Sequence, residues 1–116
     1  SSHQMAITQM AIQYCDVLVS DTTRRNAFFP GFDFGENAST AFDDAGRDLI
    51  KTPLMEKFVG TSLTTQPSDA DIEAELDALM GRLTTCGGGS CEAGRTETVV
   101  KASCAAVLGS AVTLIQ

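Results

Sequence analysis

Four cysteines are the residues of this chain with the most specific chemistry: Cys15, Cys86, Cys91 and Cys104. An even number of cysteines in a short chain is typical of a disulfide framework. Residues 87–90 are three glycines and a serine, a flexible spacer that lets the sulfurs of Cys86 and Cys91 reach disulfide geometry. Cys15 is then left to pair with Cys104. The cysteines therefore predict two disulfides and an oxidising compartment.

Two other states of these cysteines remain open from the sequence, namely free thiols in the core and a zinc site. Structural zinc sites use four ligands, usually a CxxC pair or a mixture of cysteine and histidine. This chain has a CxxxxC spacing and a single histidine, His3. The spacing therefore favours disulfides over metal, and we assign no metal ligand and no cofactor.

The single histidine also bears on catalysis. His3 lies near the start of the sequence, in a segment that we expect to be flexible. A Ser/His/Asp or Cys/His site would need that segment to be held in place. We therefore assign no catalytic residue, and the sequence favours a protein that is not an enzyme.

A segment rich in phenylalanine follows the first helical pattern. Residues 26–37 contain Phe28, Phe29, Phe32 and Phe34 among Pro30 and two glycines. Such a segment either folds back over the bundle as a lid or stays exposed as a recognition surface. We favour the lid. If exposed, the four phenylalanines are candidate binding residues for a protein or ligand partner.

Two further motifs lie in and beside this segment. Asn37, Ala38 and Ser39 form an N-glycosylation sequon. The densest group of carboxylates could offer oxygen ligands to calcium, but its spacing does not match an EF-hand and we interpret it as solvated surface. It comprises Asp33, Glu36, Asp43, Asp44 and Asp48.

The elements that position these residues follow from helical periodicity. The first helix is predicted from Gln4 to Val19, and Asp21 to Thr23 break its pattern. Its inward positions are Ile7, Met10, Ala11, Tyr14 and Leu18. A second helix is predicted from Ser39 or Thr40 to Lys51, weakened by Gly46. Its inward positions are Phe42, Ala45, Leu49 and Ile50.

Three more helical patterns complete the chain. Pro53 restarts a helix that ends at Gly60, unless it only kinks the preceding one. Ser68 or Asp69 caps the clearest amphipathic helix, with inward positions Ile72, Leu76, Leu79, Met80 and Leu83. The last helix starts near Thr96, with inward positions Val100, Cys104, Val107, Leu108, Ala111, Leu114 and Ile115. We predict an all-α four- or five-helix bundle, residues 1–116 forming a single domain, whose first and last helices pack together and are cross-linked by Cys15–Cys104.

Charge and hydropathy exclude some classes of partner. The net charge is −7, and Arg24 with Arg25 is the single adjacent basic pair. Nucleic-acid binding and docking onto anionic lipid are therefore disfavoured, since both need clustered cations. The apolar stretch 102–115 is shorter than the roughly 20 residues that span a bilayer, so we expect no membrane insertion.

The two ends of the chain resemble a known kind of module. The opening HQMAITQMAIQYC and the closing KASCAAVLGSAVTLIQ are similar to helical terminal modules of large secreted bacterial proteins that also carry laminin-G-like domains. The resemblance implies an extracellular or periplasmic setting and a structural accessory role, and it transfers no binding or catalytic residue.

Two functions follow from these observations. The first is a disulfide-stabilised helical interaction or assembly module of an exported protein, non-catalytic, whose partner is another protein or other domains of the same chain. The alternative is a carrier of a small ligand or metal, such as haem, copper or calcium, with a pocket between helices. Its candidate lining residues are Met10, Tyr14, Met55 and Met80.

Overall fold

The structure is a computed structural model that describes residues 2–60 and 68–114, without the side chains of residues 112–114. These residues form six α-helices and a π-helical segment and contain no strand. The elements are α1 (Ser2–Ser20), α2 (Thr22–Phe28), α3 (Ala38–Ala41), α4 (Asp44–Leu54), the π segment (Met55–Val59), α5 (Asp69–Thr84) and α6 (Arg95–Leu114). The predicted all-α class is confirmed.

The first and last helices form the centre of the bundle. α1 packs more extensively on α6 than any other described pair of helices, and α5 also packs on α6. Cys15 and Cys104 join α1 to α6, and an ion pair of 2.8 Å between Lys101 and Asp16 links the same helices. The predicted packing and cross-linking of the two end helices is therefore confirmed.

α5 and α6 follow the predicted boundaries closely. The Ser68 hydroxyl accepts a hydrogen bond from the backbone N–H of Asp71 and so caps α5, as its position predicts. α6 starts at Arg95, next to the predicted Thr96. Of its predicted inward positions, the side chain of Leu114 and the whole of Ile115 lie outside what the structure describes.

The region between α1 and α4 differs from the prediction. α1 ends at Ser20, so the predicted break is observed at Asp21, but Thr22 and Thr23 already belong to the short helix α2. The Asp21 carboxylate accepts a hydrogen bond from the Arg24 N–H and caps α2. The predicted second helix is divided at Phe42 and Asp43 into α3 and α4. The division turns α4, so Ala45 and Leu49 are exposed rather than inward.

Gly46 explains how closely α3 and α4 approach. The residue is buried, and a Cβ built on it would lie 1.8 Å from the carbonyl oxygen of Ala41. The sequence identified Gly46 only as a weak helix former. The structure shows that it is needed, because no other residue leaves room for the Ala41 carbonyl.

Pro53 lies inside α4 and does not start a new helix. Proline has no N–H to donate to the carbonyl four residues earlier, and the chain passes directly into the π segment after Leu54. The alternative of one continuous, altered element is thus the one observed. The element ends at Gly60 as predicted, with φ of +71° and an N–H donated to the Met55 carbonyl.

A single core cluster lies among these elements and includes both Cys15 and Cys104. Its fully buried large side chains are Val19, Phe29, Ile50, Leu54, Leu76, Met80, Val99, Val100 and Val107. Lys51 is buried at its edge and pairs with Asp77 at 3.0 Å, which links α4 to α5. None of the described helices is both long enough and apolar enough to cross a membrane.

Candidate functional site

The cysteines pair as the sequence predicts. The interhelix disulfide joins Cys15 to Cys104, with 5.8 Å between their Cα atoms and both residues fully buried. The loop disulfide joins Cys86 to Cys91, with 5.3 Å between their Cα atoms, and closes the loop between α5 and α6. No described cysteine is a free thiol. Two disulfides fit an oxidising compartment.

The phenylalanine segment folds onto the bundle. Phe29 is 0% exposed and Phe32 is 7% exposed, and both belong to the core. Phe28 and Phe34 are partly buried against it, and the Arg25 guanidinium lies 4.5 Å above the Phe34 ring. The lid interpretation therefore describes this segment. Binding through these rings stays a prediction, and the accessible parts belong to Phe28 and Phe34.

Asn37 fastens this segment to the loop disulfide. Its side-chain Oδ1 accepts hydrogen bonds from the N–H groups of Ser39 and Cys91, at 2.9 and 3.0 Å, and its Nδ2 donates to the Cys91 carbonyl at 2.7 Å. Next to it, the Thr96 hydroxyl donates to the Glu36 carbonyl at 2.6 Å. The sequon asparagine is thus a structural residue whose amide is already hydrogen-bonded.

The surface of α1 is the feature that the sequence did not reveal. Met10 and Tyr14 were predicted to be inward, but Met10 is 68% exposed and Tyr14 is 51% exposed. One side of α1 is buried and includes Ala11 and Cys15, whereas the adjacent side is exposed although its residues are apolar. The inward prediction for Met10 and Tyr14 is wrong, because an apolar stripe wider than the neighbouring helix is only partly covered.

This exposed side has a defined shape. Met10, Tyr14 and Val17 follow one another at spacings of four and three residues and so share one side of α1. We call this row the α1 ridge. All large hydrophobic side chains in the described residues that are more than half exposed lie on α1, and Met5 and Ile12 are the other two.

A hollow lies on each side of the ridge. One hollow of about 290 Å³ is lined by Ile7, Met10, Ala11, Tyr14, Phe58 and Leu108, all of them apolar or aromatic. The other, of about 570 Å³, is lined by Met10, Gln13, Tyr14, Val17, Leu18 and Arg24. Both hollows are open to solvent and share Met10 and Tyr14. The ridge with its two hollows is the candidate functional site.

Aromatic contacts connect this site to the core. The Tyr14 and Phe58 ring centroids are 6.2 Å apart, Phe58 and Phe28 are 5.5 Å apart, and Phe28 and Phe29 are 4.7 Å apart. Phe29 is fully buried. The exposed Tyr14 ring therefore rests on a packed aromatic row, which holds the surface in a fixed shape.

Cations lie beside the ridge. Arg24 is the one charged residue among the described residues that line the two hollows. The Lys57 ammonium lies 4.9 Å above the Phe28 ring, whose neighbour Phe58 lines the first hollow. Within residues 2–60 and 68–114, neither Arg24 nor Lys57 forms an ion pair with a carboxylate.

Two ionisable groups away from the ridge have shifted pKa values. A hydrogen bond to the Asp16 carboxylate raises the pKa of Lys101. A hydrogen bond from its own backbone N–H, together with Arg95, lowers the pKa of the exposed Glu92. Both shifts arise from contacts that stabilise helix packing or a helix start, and neither group lines the ridge.

The other candidate residues do not converge. Met10 and Tyr14 line the same hollows, whereas Met80 is fully buried in the core and Met55 packs against that core. His3 belongs to α1 and is not a loose tail, which corrects that expectation. Asp33 and Asp43 accept backbone N–H groups in a turn and a helix cap. In the part of the chain that the structure describes, no three metal-ligating side chains are grouped to hold an ion.

Comparison of the chain with protein-family models, with curated proteins and with solved structures finds no match.

Proposed function

We propose that this chain is a disulfide-stabilised helical interaction or assembly module of an exported protein and that it acts by binding rather than by catalysis. The observation that carries the proposal is the α1 ridge. Isolated exposed hydrophobic residues are ordinary, but a contiguous apolar patch on one helix is typical of a protein interaction site. Here the apolar residues are contiguous and flanked by two hollows.

The framework around the ridge supports the same function. The interhelix disulfide holds α1 against α6, and the aromatic row from Tyr14 to Phe29 supports the ridge from below. A surface held in place before binding loses little conformational entropy on association. This arrangement favours a preformed docking surface.

The setting follows from the cysteines and the chain ends. Disulfides persist in oxidising compartments, so we place the protein outside the cytoplasm, in an extracellular or periplasmic location. The resemblance of both ends to terminal modules of large secreted bacterial proteins stays a prediction and points to the same location. It also favours other domains of the same chain, or a protein assembled with them, as the partner.

The proposal is tested by site-specific photo-crosslinking in the cells that export the protein. A benzoylphenylalanine replaces Met10 on the ridge in one variant and Leu49, an exposed hydrophobic residue on α4, in the matched control. We expect position 10 to crosslink to one defined protein or domain and position 49 to give no crosslink to it. Absence of any crosslink from position 10, or equal crosslinking from both positions, would refute the proposal.

A further inference from the structure

We infer that the α1 ridge binds an amphipathic helix that carries acidic residues at the border of its apolar face. The inference rests on the proposed function and adds the chemistry of the partner. Three observations lead to it, namely the length and openness of the surface, its apolar ridge and hollows, and the charges at its border.

The shape of the surface fits an elongated partner. From Ile7 to Val17 the apolar lining extends about 15 Å along α1, which corresponds to between two and three turns of a facing helix. Small-molecule sites enclose most of their ligand. Both hollows here are open to solvent along the helix, so a small ligand would stay largely exposed, whereas a helix would cover the whole surface.

The ridge and its two hollows fit the way in which side chains pack between helices. Met10 and Tyr14 form the ridge, and the hollows on either side can receive the side chains of a partner helix. Ridges that pack into grooves are the usual geometry of helix pairs. Methionine adapts its shape to its neighbours, and an exposed tyrosine offers a large rigid contact area. Helix-in-groove recognition uses this combination of features.

The charges at the border select the sign of the partner. The chain as a whole is acidic, with a net charge of −7, yet the cations beside this apolar surface, Arg24 and Lys57, are not paired with carboxylates in the described residues. Apolar anchors surrounded by complementary charges give an interface its orientation and specificity. Glutamate or aspartate at the border of a partner helix would pair with Arg24 and Lys57.

A second copy of this chain fits the surface less well. In a symmetric dimer the same patch occupies both sides of the interface. The Arg24 and Lys57 side chains of one copy would then border a patch that carries the same two cations on the other. The acidic helix of a different protein or domain avoids this repulsion.

The test uses two synthetic amphipathic helices with identical leucine and alanine faces, one carrying glutamate and the other lysine beside that face. Binding to the oxidised protein is measured by fluorescence anisotropy. We expect the glutamate peptide to bind at least about tenfold more tightly than the lysine peptide, with an affinity that falls as salt is raised.

Two variants and a control locate the binding. Tyr14→Ala is expected to weaken the glutamate peptide about thirtyfold, as loss of a central aromatic anchor does. The double variant R24E/K57E leaves the apolar surface intact and is expected to reverse the preference between the two peptides. Leu49→Ala, the matched control on α4, is expected to change affinity less than about twofold.

Several results would overturn the inference. The inference is wrong if both peptides bind equally well, or if Tyr14→Ala leaves the binding of the glutamate peptide unchanged. It is also wrong if the protein binds phosphatidylglycerol vesicles but neither peptide, or if sedimentation shows a dimer of this chain that Tyr14→Ala dissociates. If the peptides fail while position 10 still crosslinks to a defined protein, the proposed acidic helix is wrong and the proposed function stands. If no crosslink forms either, both are wrong.

Discussion

Because α3 and α4 approach closely at Gly46, replacing glycine by alanine should destabilise the protein at position 46 and stabilise it at position 81 in α5. In Gly46→Ala the new Cβ would lie 1.8 Å from the Ala41 carbonyl oxygen, whereas ordinary contact begins at 3.4 Å. The two backbones must therefore separate by about 1.6 Å, the difference between those distances. Overpacking of this kind costs about 1–3 kcal/mol. Alanine also regains about 1 kcal/mol of helix propensity.

Because the obstructing atom is backbone, we expect a cost at the upper end of that range, about 3 kcal/mol, so that the net free energy of unfolding falls by about 2 kcal/mol. The midpoint of thermal unfolding should fall by about 8 °C. Gly81→Ala in α5 is the control, since the nearest atom to its Cβ is the Arg47 guanidinium at 3.9 Å. That variant should gain up to about 1 kcal/mol.

The assay is urea unfolding of the oxidised proteins followed by circular dichroism, with both variants measured beside the wild type. A Gly46→Ala protein at least as stable as the wild type would refute the close approach of α3 to α4. A Gly81→Ala protein destabilised as much as Gly46→Ala would refute the distinction between the two glycines.

Three further predictions concern covalent links, hydrogen bonds and charge. Alanine in place of both cysteines should lower the free energy of unfolding by about 4.6 kcal/mol for the interhelix disulfide, with a sequence separation of 89, and by about 2 kcal/mol for the loop disulfide, with a separation of 5. Equal losses in urea unfolding would contradict this. Asn37→Ala removes three hydrogen bonds and should lower the free energy of unfolding by about 2–3 kcal/mol. Asn37→Asp places a carboxylate against the Cys91 carbonyl and should also lower the stability. Both variants as stable as the wild type would contradict this. Because the pKa of Lys101 is raised in the folded state, its contribution to stability is present at neutral pH and is lost as pH rises through that pKa. Asp16→Asn should therefore reduce the loss of stability at alkaline pH, measured by unfolding at a series of pH values. An unchanged loss at alkaline pH would contradict this.

The sequence was most informative where a local signal and the long-range packing agree. Ser68 lies directly before a strong amphipathic pattern, so both the start and the buried side of α5 could be predicted. The glycine-rich spacer between Cys86 and Cys91 indicated the loop disulfide and so left Cys15 for Cys104. Each of these features depends on residues close together in the chain.

Other features depend on contacts that no local pattern contains. Asp21 follows the end of α1, as its interpretation as a break predicts, but it also caps α2, and only the residues that follow show that a new helix begins there. Asn37 contacts Cys91 across 54 residues of sequence. Periodicity identified Met10 and Tyr14 as apolar positions, but it could not show that α6 covers only part of α1.

The most direct test is methionine oxidation by hydrogen peroxide, compared between the chain on its own, as an isolated domain, and the proposed exported assembly. Met10 is 68% exposed and Met80 is 0% exposed, so in the isolated domain Met10 should oxidise rapidly and Met80 slowly. In the assembly, a partner docked on the α1 ridge should slow the oxidation of Met10 at least about tenfold, with Met80 slow in both. Met10 that oxidises at the same rate in the assembly as in the isolated domain would contradict the proposed interaction through α1.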